Sequence, residues 1–427
     1  MYAYGLIMTL FLFLLPGGEF YATLPAILGS LTVGETAEIV EHLFRERLFE
    51  LNELVVDHSS NTPGKVLTGI TTGGFDSLEL TLEDRAHMGD MNAQNDLALQ
   101  YDLGKERPQD YTEAVKWYKM AADQGLAVAQ GNLAWMYESG RGVPVDKARA
   151  AELYRKAADQ GLPRAQNNLG VLYERGEGVA QDDREAINLY RKAANQGDRN
   201  GQTNLGRMYY YGRGVTKNYN KAAEWYLKAA ESGSANAQNY LGLMYEEGLG
   251  VVKSDRKAAE WYRKSAEQGN SYAQTNLAWL YQNGKGVPRD DAEAVRWYRS
   301  AAEQGNSRAQ TNLGWMYENG RGVEQSDTEA FRWYSSASEQ GNTISQGNLG
   351  WMYMNGRGVE KDIDEALKWL LSAAEQGNAS AMHNIGWIYE NEEEVGKDLS
   401  TALDWYSKAA ELGNALAQEA LKRLEKD

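Results

Sequence analysis

GNSRAQTNLGWMYENGRGVEQSDTEAFRWYSSASEQ, residues Gly305–Gln340, is the stretch whose reading decides the fold of this chain. Ala309, Leu313, Met316 and Tyr317 recur at the three- and four-residue steps of an α-helix. The pattern predicts that helix over Ser307–Asn319, with these four residues on its buried face. Gly320 and Gly322 end it, because a helix stop often needs the positive φ that glycine adopts without steric cost. Val323 reads as an apolar plug beneath the loop. Asp327 reads as the cap of a second helix over about Thr328–Glu339, with Ala330, Tyr334 and Ala337 on its inner side and Trp333 beside them.

Outward from this stretch, the same unit of 36 residues repeats without an insertion. Its turn glycine falls at Gly89, Gly125, Gly161, Gly197, Gly233, Gly269, Gly305, Gly341, Gly377 and Gly413. One helical hairpin cannot bury its apolar face alone, so each unit must be covered by its neighbours. The expected fold is therefore all-α, a solenoid of antiparallel helix pairs. Gly314 lies inside a helix, as do Gly170, Gly206, Gly242, Gly350 and Gly386, with Ala134 and Ala278 at the same place in two units. An interior glycine costs roughly 0.5–1 kcal/mol relative to alanine, so its return predicts a tight helix crossing. The ends degrade as caps should: GKER stands at Gly104–Arg107 where interior units read GRGV. Glu392 and Glu394 replace both loop glycines of the last full unit.

The chain of 427 residues carries a formal charge of -16 and no cysteine. An acidic surface disfavours nucleic acid, whose phosphates need cationic partners. The lack of cysteine excludes disulfides, zinc–thiolate sites and thiol nucleophiles. Leu6–Leu15 is an apolar run of the length of a secretory signal core, shorter than the roughly 20 residues a membrane helix needs. No Lys or Arg precedes it and Phe20 spoils the cleavage site, so an uncleaved anchor and a buried start stay open beside export. The expected organisation is a signal peptide or short anchor over 1–22, a helical segment and linker over 23–88, nine units over 89–412 and a capping helix over 413–427. An amphipathic helix is predicted within 35–56, and a short strand near Ser77–Thr81.

Ala237, Leu241, Gly242, Tyr245, Gly248, Gly250, Val251, Lys257, Ala258, Trp261, Tyr262, Ala266 and Gly269 follow the pattern of the Sel1-like repeat family, a relative of the tetratricopeptide repeats, with Ser265 replacing one alanine. The chain resembles that family over nine units. The resemblance implies a right-handed superhelix with a concave protein-binding surface, and adaptor roles in complex assembly, in envelope processes, signalling or host contact. It also implies, for a cysteine-rich branch, β-lactam binding or hydrolysis; this chain departs from that branch by lacking cysteine and any matching Ser-x-x-Lys motif.

A second stripe runs along the first helices, away from the buried one. Helical spacing puts Arg308, Asn312, Trp315 and Asn319 on one face, and stacking lines such faces into a groove. The candidate partner-binding residues are Asn276, Trp279, Arg308, Asn312, Trp315, Asn348, Trp351, Asn384 and Trp387. Asparagine donates to and accepts from a peptide backbone, and exposed tryptophans are common hot spots. The competing reading is that the aromatics fill gaps between hairpins and the asparagines tie neighbouring helices. Trp117, Trp225, Trp261, Trp297, Trp333, Trp369 and Trp405 of the second helices read as structural, and Arg141, Arg213 and Arg321 as solvated or local ties.

The four histidines, His42, His58, His87 and His383, show no metal-ligand spacing, and the glycine pairs follow no strand, so they are not phosphate loops. The sequence thus predicts a non-catalytic scaffold with no cofactor, a protein or peptide in the groove, and no nucleic acid. Membrane contact is expected only if the N-terminal apolar segment is retained, and location in the periplasm or outside the cell. The alternative is an envelope-associated enzyme or a carbohydrate- or cell-wall-associated accessory protein.

Overall fold

The structure, a computed structural model, describes residues 80–424. The export signal, the amphipathic segment within 35–56 and most of the predicted strand lie outside them. Among the described residues there are twenty helices and no strand. They are α1 (Leu82–His87), α2 (Met91–Leu103), α3 (Tyr111–Asp123), α4 (Ala127–Ser139), α5 (Lys147–Asp159), α6 (Pro163–Arg175) and α7 (Asp183–Asn195). Next come α8 (Arg199–Tyr211), α9 (Tyr219–Glu231), α10 (Ala235–Glu247), α11 (Asp255–Glu267), α12 (Ser271–Asn283) and α13 (Asp291–Glu303). The last are α14 (Ser307–Glu318), α15 (Asp327–Glu339), α16 (Thr343–Asn355), α17 (Ile363–Glu375), α18 (Ala379–Asn391), α19 (Leu399–Glu411) and α20 (Ala415–Leu424).

From α2 onward, even-numbered helices are the first of each pair and odd-numbered helices the second. Each helix packs on the one before and the one after, so nine hairpins stack in chain order and α20 covers the last. Leu313, Met316 and Ala309 of α14 and Ala330, Tyr334 and Ala337 of α15 are fully buried, as the spacing requires. The glycine within the first helix answers to the tyrosine of the second: a Cβ on Gly314 would stand 2.8 Å from the Tyr334 ring. Leu370 takes the tyrosine's place against Gly350.

Two boundaries differ from the sequence reading. The first helix stops at Glu318, and Asn319 is its C-cap. The cap of α15 is Ser326, whose hydroxyl accepts from the Glu329 amide; Asp327 is already helical. Asp327 is drawn instead to Arg357 of the next unit, whose Nη2 donates to it at 2.6 Å. Thr81, at the edge of the predicted strand, caps α1 through its hydroxyl. The second loop glycine has two reasons to exist. Gly142 holds φ +70°, and a Cβ there would collide with the Tyr111 carbonyl of the preceding unit. In the first unit that place is Glu106, at φ 64°, the one non-glycine residue with positive φ among the described residues.

Candidate functional site

Consecutive first helices approach one another directly, α6 on α8 and α16 on α18, and no pair of consecutive second helices among the described residues does so to the same degree. The first helices are therefore the more closely spaced, inner layer. Asn132 donates to Asn95 at 3.2 Å, Asn204 to Asn167 at 2.8 Å and Asn276 to Asn239 at 3.2 Å, tying that layer from unit to unit.

The stripe read from the sequence lies on this layer. Trp279, Trp315 and Trp351 are half-buried, and Trp387 is 36% exposed. For Trp279, Trp315 and Trp351, a cation from the unit's own loop covers one side of the ring. Lys285 sits 4.4 Å from the Trp279 centroid, and Arg321 and Arg357 sit 5.2 Å from Trp315 and Trp351. Each asparagine has an internal tie: Asn312 to Tyr298, Asn348 to Tyr334, Asn384 to His383, and Asn276 to both Asn239 and Arg308. The loop arginines make local ties, Arg213 to Asp183 and Glu174 and Arg321 to Asp291. Among the second-helix tryptophans, Trp117, Trp297 and Trp333 are buried and Trp225, Trp261, Trp369 and Trp405 half-buried.

Two polar ladders went unread in the sequence. In the first, the glutamine after the early alanine of each first helix donates to a carbonyl of the preceding second helix, as Gln274 does to Ala266 at 3.1 Å. The same glutamine accepts from the one closing its own hairpin, as from Gln304 at 2.8 Å. In the second, the buried tyrosine of most second helices donates its hydroxyl to a carboxylate sixteen residues earlier, and Tyr298 donates to the amide oxygen of Gln282 at 2.8 Å. Tyr154 reaches Glu138 at 2.8 Å, Tyr190 reaches Glu174 at 2.7 Å, and Tyr262 reaches Glu246 at 2.7 Å. Burial first, then the adjacent carboxylate, pushes these phenols far above their ordinary range, so each stays a donor. The recurrence of both partners was visible; their meeting was not.

Where a rung loses its pairing, either both members are exchanged or only one is. In the unit after Gly341 the tyrosine–carboxylate pair becomes Leu370 and Met354, both buried in one core cluster. In the unit after Gly377 the two glutamines become Met382 and Leu412. The unit after Gly197 replaces one partner only. Tyr210 stands where the carboxylate belongs and Ser232 where the closing glutamine belongs. The buried Tyr226 hydroxyl and Gln202 Oε1 consequently have no partner, and Arg207 Nε, also on α8, has none either.

Among the described residues no cluster of acidic or histidine side chains is arranged to hold a metal ion. A recess of about 340 Å³ lies between α13 and the loop before α15, lined by Val295, Arg296, Arg299, Ser300, Glu303 and Val323, and no hydrogen bond joins Ser300 to Glu303 there. No helix among the described residues is long and apolar enough to cross a membrane.

Stacked hairpins with a closely spaced inner layer define a helical-repeat protein. The Sel1 repeat profile matches residues 92–126, 127–162, 163–198, 200–234, 235–270, 271–306, 307–342, 343–378 and 379–414, so the chain belongs to the Sel1 repeat family. It is similar to a protective antigen of uropathogenic Escherichia coli displaying an SLR fold, at 42% identity, over 80% of this chain and 73% of that one, with TM-score 0.68. It is also similar to a Sel1 repeat protein from Oxalobacter formigenes, at 32% identity, over 72% of this chain and 89% of that one, with TM-score 0.54. No curated protein matches it.

Proposed function

We propose that the protein is a binding scaffold whose inner layer of first helices receives a protein or peptide segment. The observation that carries this reading is the row of tryptophans on α12, α14, α16 and α18. They repeat in register on one face and keep part of each ring in solvent, and the first three are held in place by loop cations. A ring fixed before binding loses little side-chain freedom when a partner covers it, which is how aromatic hot spots gain affinity. The asparagine ties favour a second, structural role for those residues: they hold the spacing of the layer on which the rings sit. Export belongs to the same proposal and rests on the apolar run Leu6–Leu15; the mass of the mature N-terminus tests it, and retention of Met1–Ala22 removes cleavage there.

The test is recovery of a partner with the purified chain, followed by affinity measurement on Trp279→Ala, Trp315→Ala and Trp351→Ala. Loss of a hot-spot ring weakens binding by about 2 kcal/mol, roughly thirty-fold. Folded variants with unchanged affinity would refute the assignment of this face.

A further inference from the structure

Of the four buried polar side-chain atoms without a partner among the described residues, three belong to the unit between Gly197 and Ser232. Native structures keep such atoms few, and their concentration in one of nine near-identical units calls for a cause. Two of the three, Tyr226 OH and Arg207 Nε, are hydrogen-bond donors, and they stand close enough for Arg207 to act on the Tyr226 phenol. The Tyr226 ring is stacked on Tyr240 of α10, centroids 4.9 Å apart and planes 4° from parallel, and Tyr211 beside them is 53% exposed. The surrounding face mixes exposed arginines with Glu174, Glu177 and Glu247. Arg164 and Arg175 are exposed on α6, and among the described residues neither makes an ion pair or a hydrogen bond. Eleven residues is three helical turns, so the two arginines sit on one face with backbone positions about 16 Å apart. Arg207 follows on the next first helix, with one nitrogen on Glu174 at 2.6 Å. This lies within a chain of net charge -16.

We propose that α6, α8 and α10 form the docking site of an acidic, extended segment of a partner protein. In the other tyrosine-bearing units the chain itself supplies the tyrosine's acceptor; here it supplies none, and a partner's carboxylate meets the fully buried Tyr226 hydroxyl where the half-buried rings of Tyr210 and Tyr240 move aside. Arg164 and Arg175 attract the segment, and the rings of Tyr211 and Tyr240 flank it. Charge complementarity selects the occupant: exposed arginines without a bridging carboxylate, inside an anionic molecule, favour acidic segments over basic and neutral ones. Two exposed guanidinium groups are too few to neutralise the dense phosphates of a nucleic acid. The inference rests on the scaffold reading and adds the chemistry and position of the bound segment.

The experiment uses the full chain and a fluorescein-labelled dodecapeptide of alternating Glu and Ser. Peptides with Gln or Lys in place of Glu, and single-stranded oligothymidine, serve as competitors. The Glu peptide is expected to bind at least about ten-fold more tightly than the others. The double variant Arg164→Glu, Arg175→Glu is expected to weaken it by at least about ten-fold without moving the unfolding midpoint. Tyr210→Glu, which supplies an internal acceptor for Tyr226, is expected to raise the midpoint and weaken the peptide. A Glu peptide that binds no better than the Gln peptide, tighter oligothymidine binding, or charge reversal without effect would overturn the proposal. A recovered partner that is lost on Trp315→Ala but kept on the arginine reversal leaves the scaffold reading standing and sinks this one. A Glu peptide sensitive to the reversal but not to Trp315→Ala supports this one and removes the tryptophan row.

Discussion

The hydroxyl of a buried tyrosine commits a second residue sixteen positions away. With Glu246 in place the Tyr262 hydroxyl is satisfied at 2.7 Å; with Tyr210 in the equivalent place the Tyr226 hydroxyl is not. Leaving a buried polar group unpaired costs about 1–3 kcal/mol, whereas removing both partners is nearly neutral, as Leu370 with Met354 illustrates. Tyr210→Glu should therefore raise stability by about 1 kcal/mol, and Glu246→Ala should lower it by about 1–3 kcal/mol, both read from denaturant midpoints at constant slope. Glu106 offers a separate handle. A residue with a Cβ in the left-handed region costs roughly 1–2 kcal/mol, so Glu106→Gly should stabilise by about 1 kcal/mol in the same assay. Gly142→Ala should destabilise by more, because the Tyr111 carbonyl blocks the methyl as well.

At the scale of the helix, the sequence displayed much of what the structure contains. The spacing of Ala309, Leu313 and Met316 locates α14 and its buried side, and Ala330, Tyr334 and Ala337 do the same for α15. The cap of α15 was misassigned because Ser326 and Asp327 are both competent caps; the choice depends on Arg357, thirty residues away. The ladders escaped for the same reason. Periodicity reports which residues recur, and the direction in which Gln274 or Tyr262 points depends on neighbours that the period does not describe. The candidate face was legible as a stripe, but its internal ties were not. One consequence concerns α20. Arg423 donates to Glu390 at 2.6 and 2.8 Å across from α20 to α18, and this pairing holds the Glu390 carboxyl below its ordinary range against a smaller opposing effect of burial. A carboxyl depressed in the folded state contributes fully above its unfolded value of about 4.3 and loses that contribution as pH falls through the lower folded value. Amide exchange in α20 should therefore accelerate below about pH 4, before that of α12 or α14. Equal acceleration throughout would count against the pairing as the anchor.

Across the whole stack, each hairpin touches only its neighbours, so stability is a sum of unit and interface contributions. Excising 271–306 joins Asn270 to Ser307 in register, and the shortened chain should remain helical and unfold cooperatively with a lower midpoint. Removing only 271–288 leaves a second helix without its partner and should cost far more, as circular dichroism melts would show. The doubly altered rungs, Met354 with Leu370 and Met382 with Leu412, leave no buried polar atom without a partner among the described residues. A module that exchanges one member of a rung for a group that cannot pair is less stable until the second is exchanged as well. Lineages that lack stability in reserve are barred from that route, whereas a module whose orphaned group is rewarded by a ligand can halt halfway. The module between Gly197 and Ser232, with Tyr210 and Ser232 each exchanged alone, has the composition of one that halted.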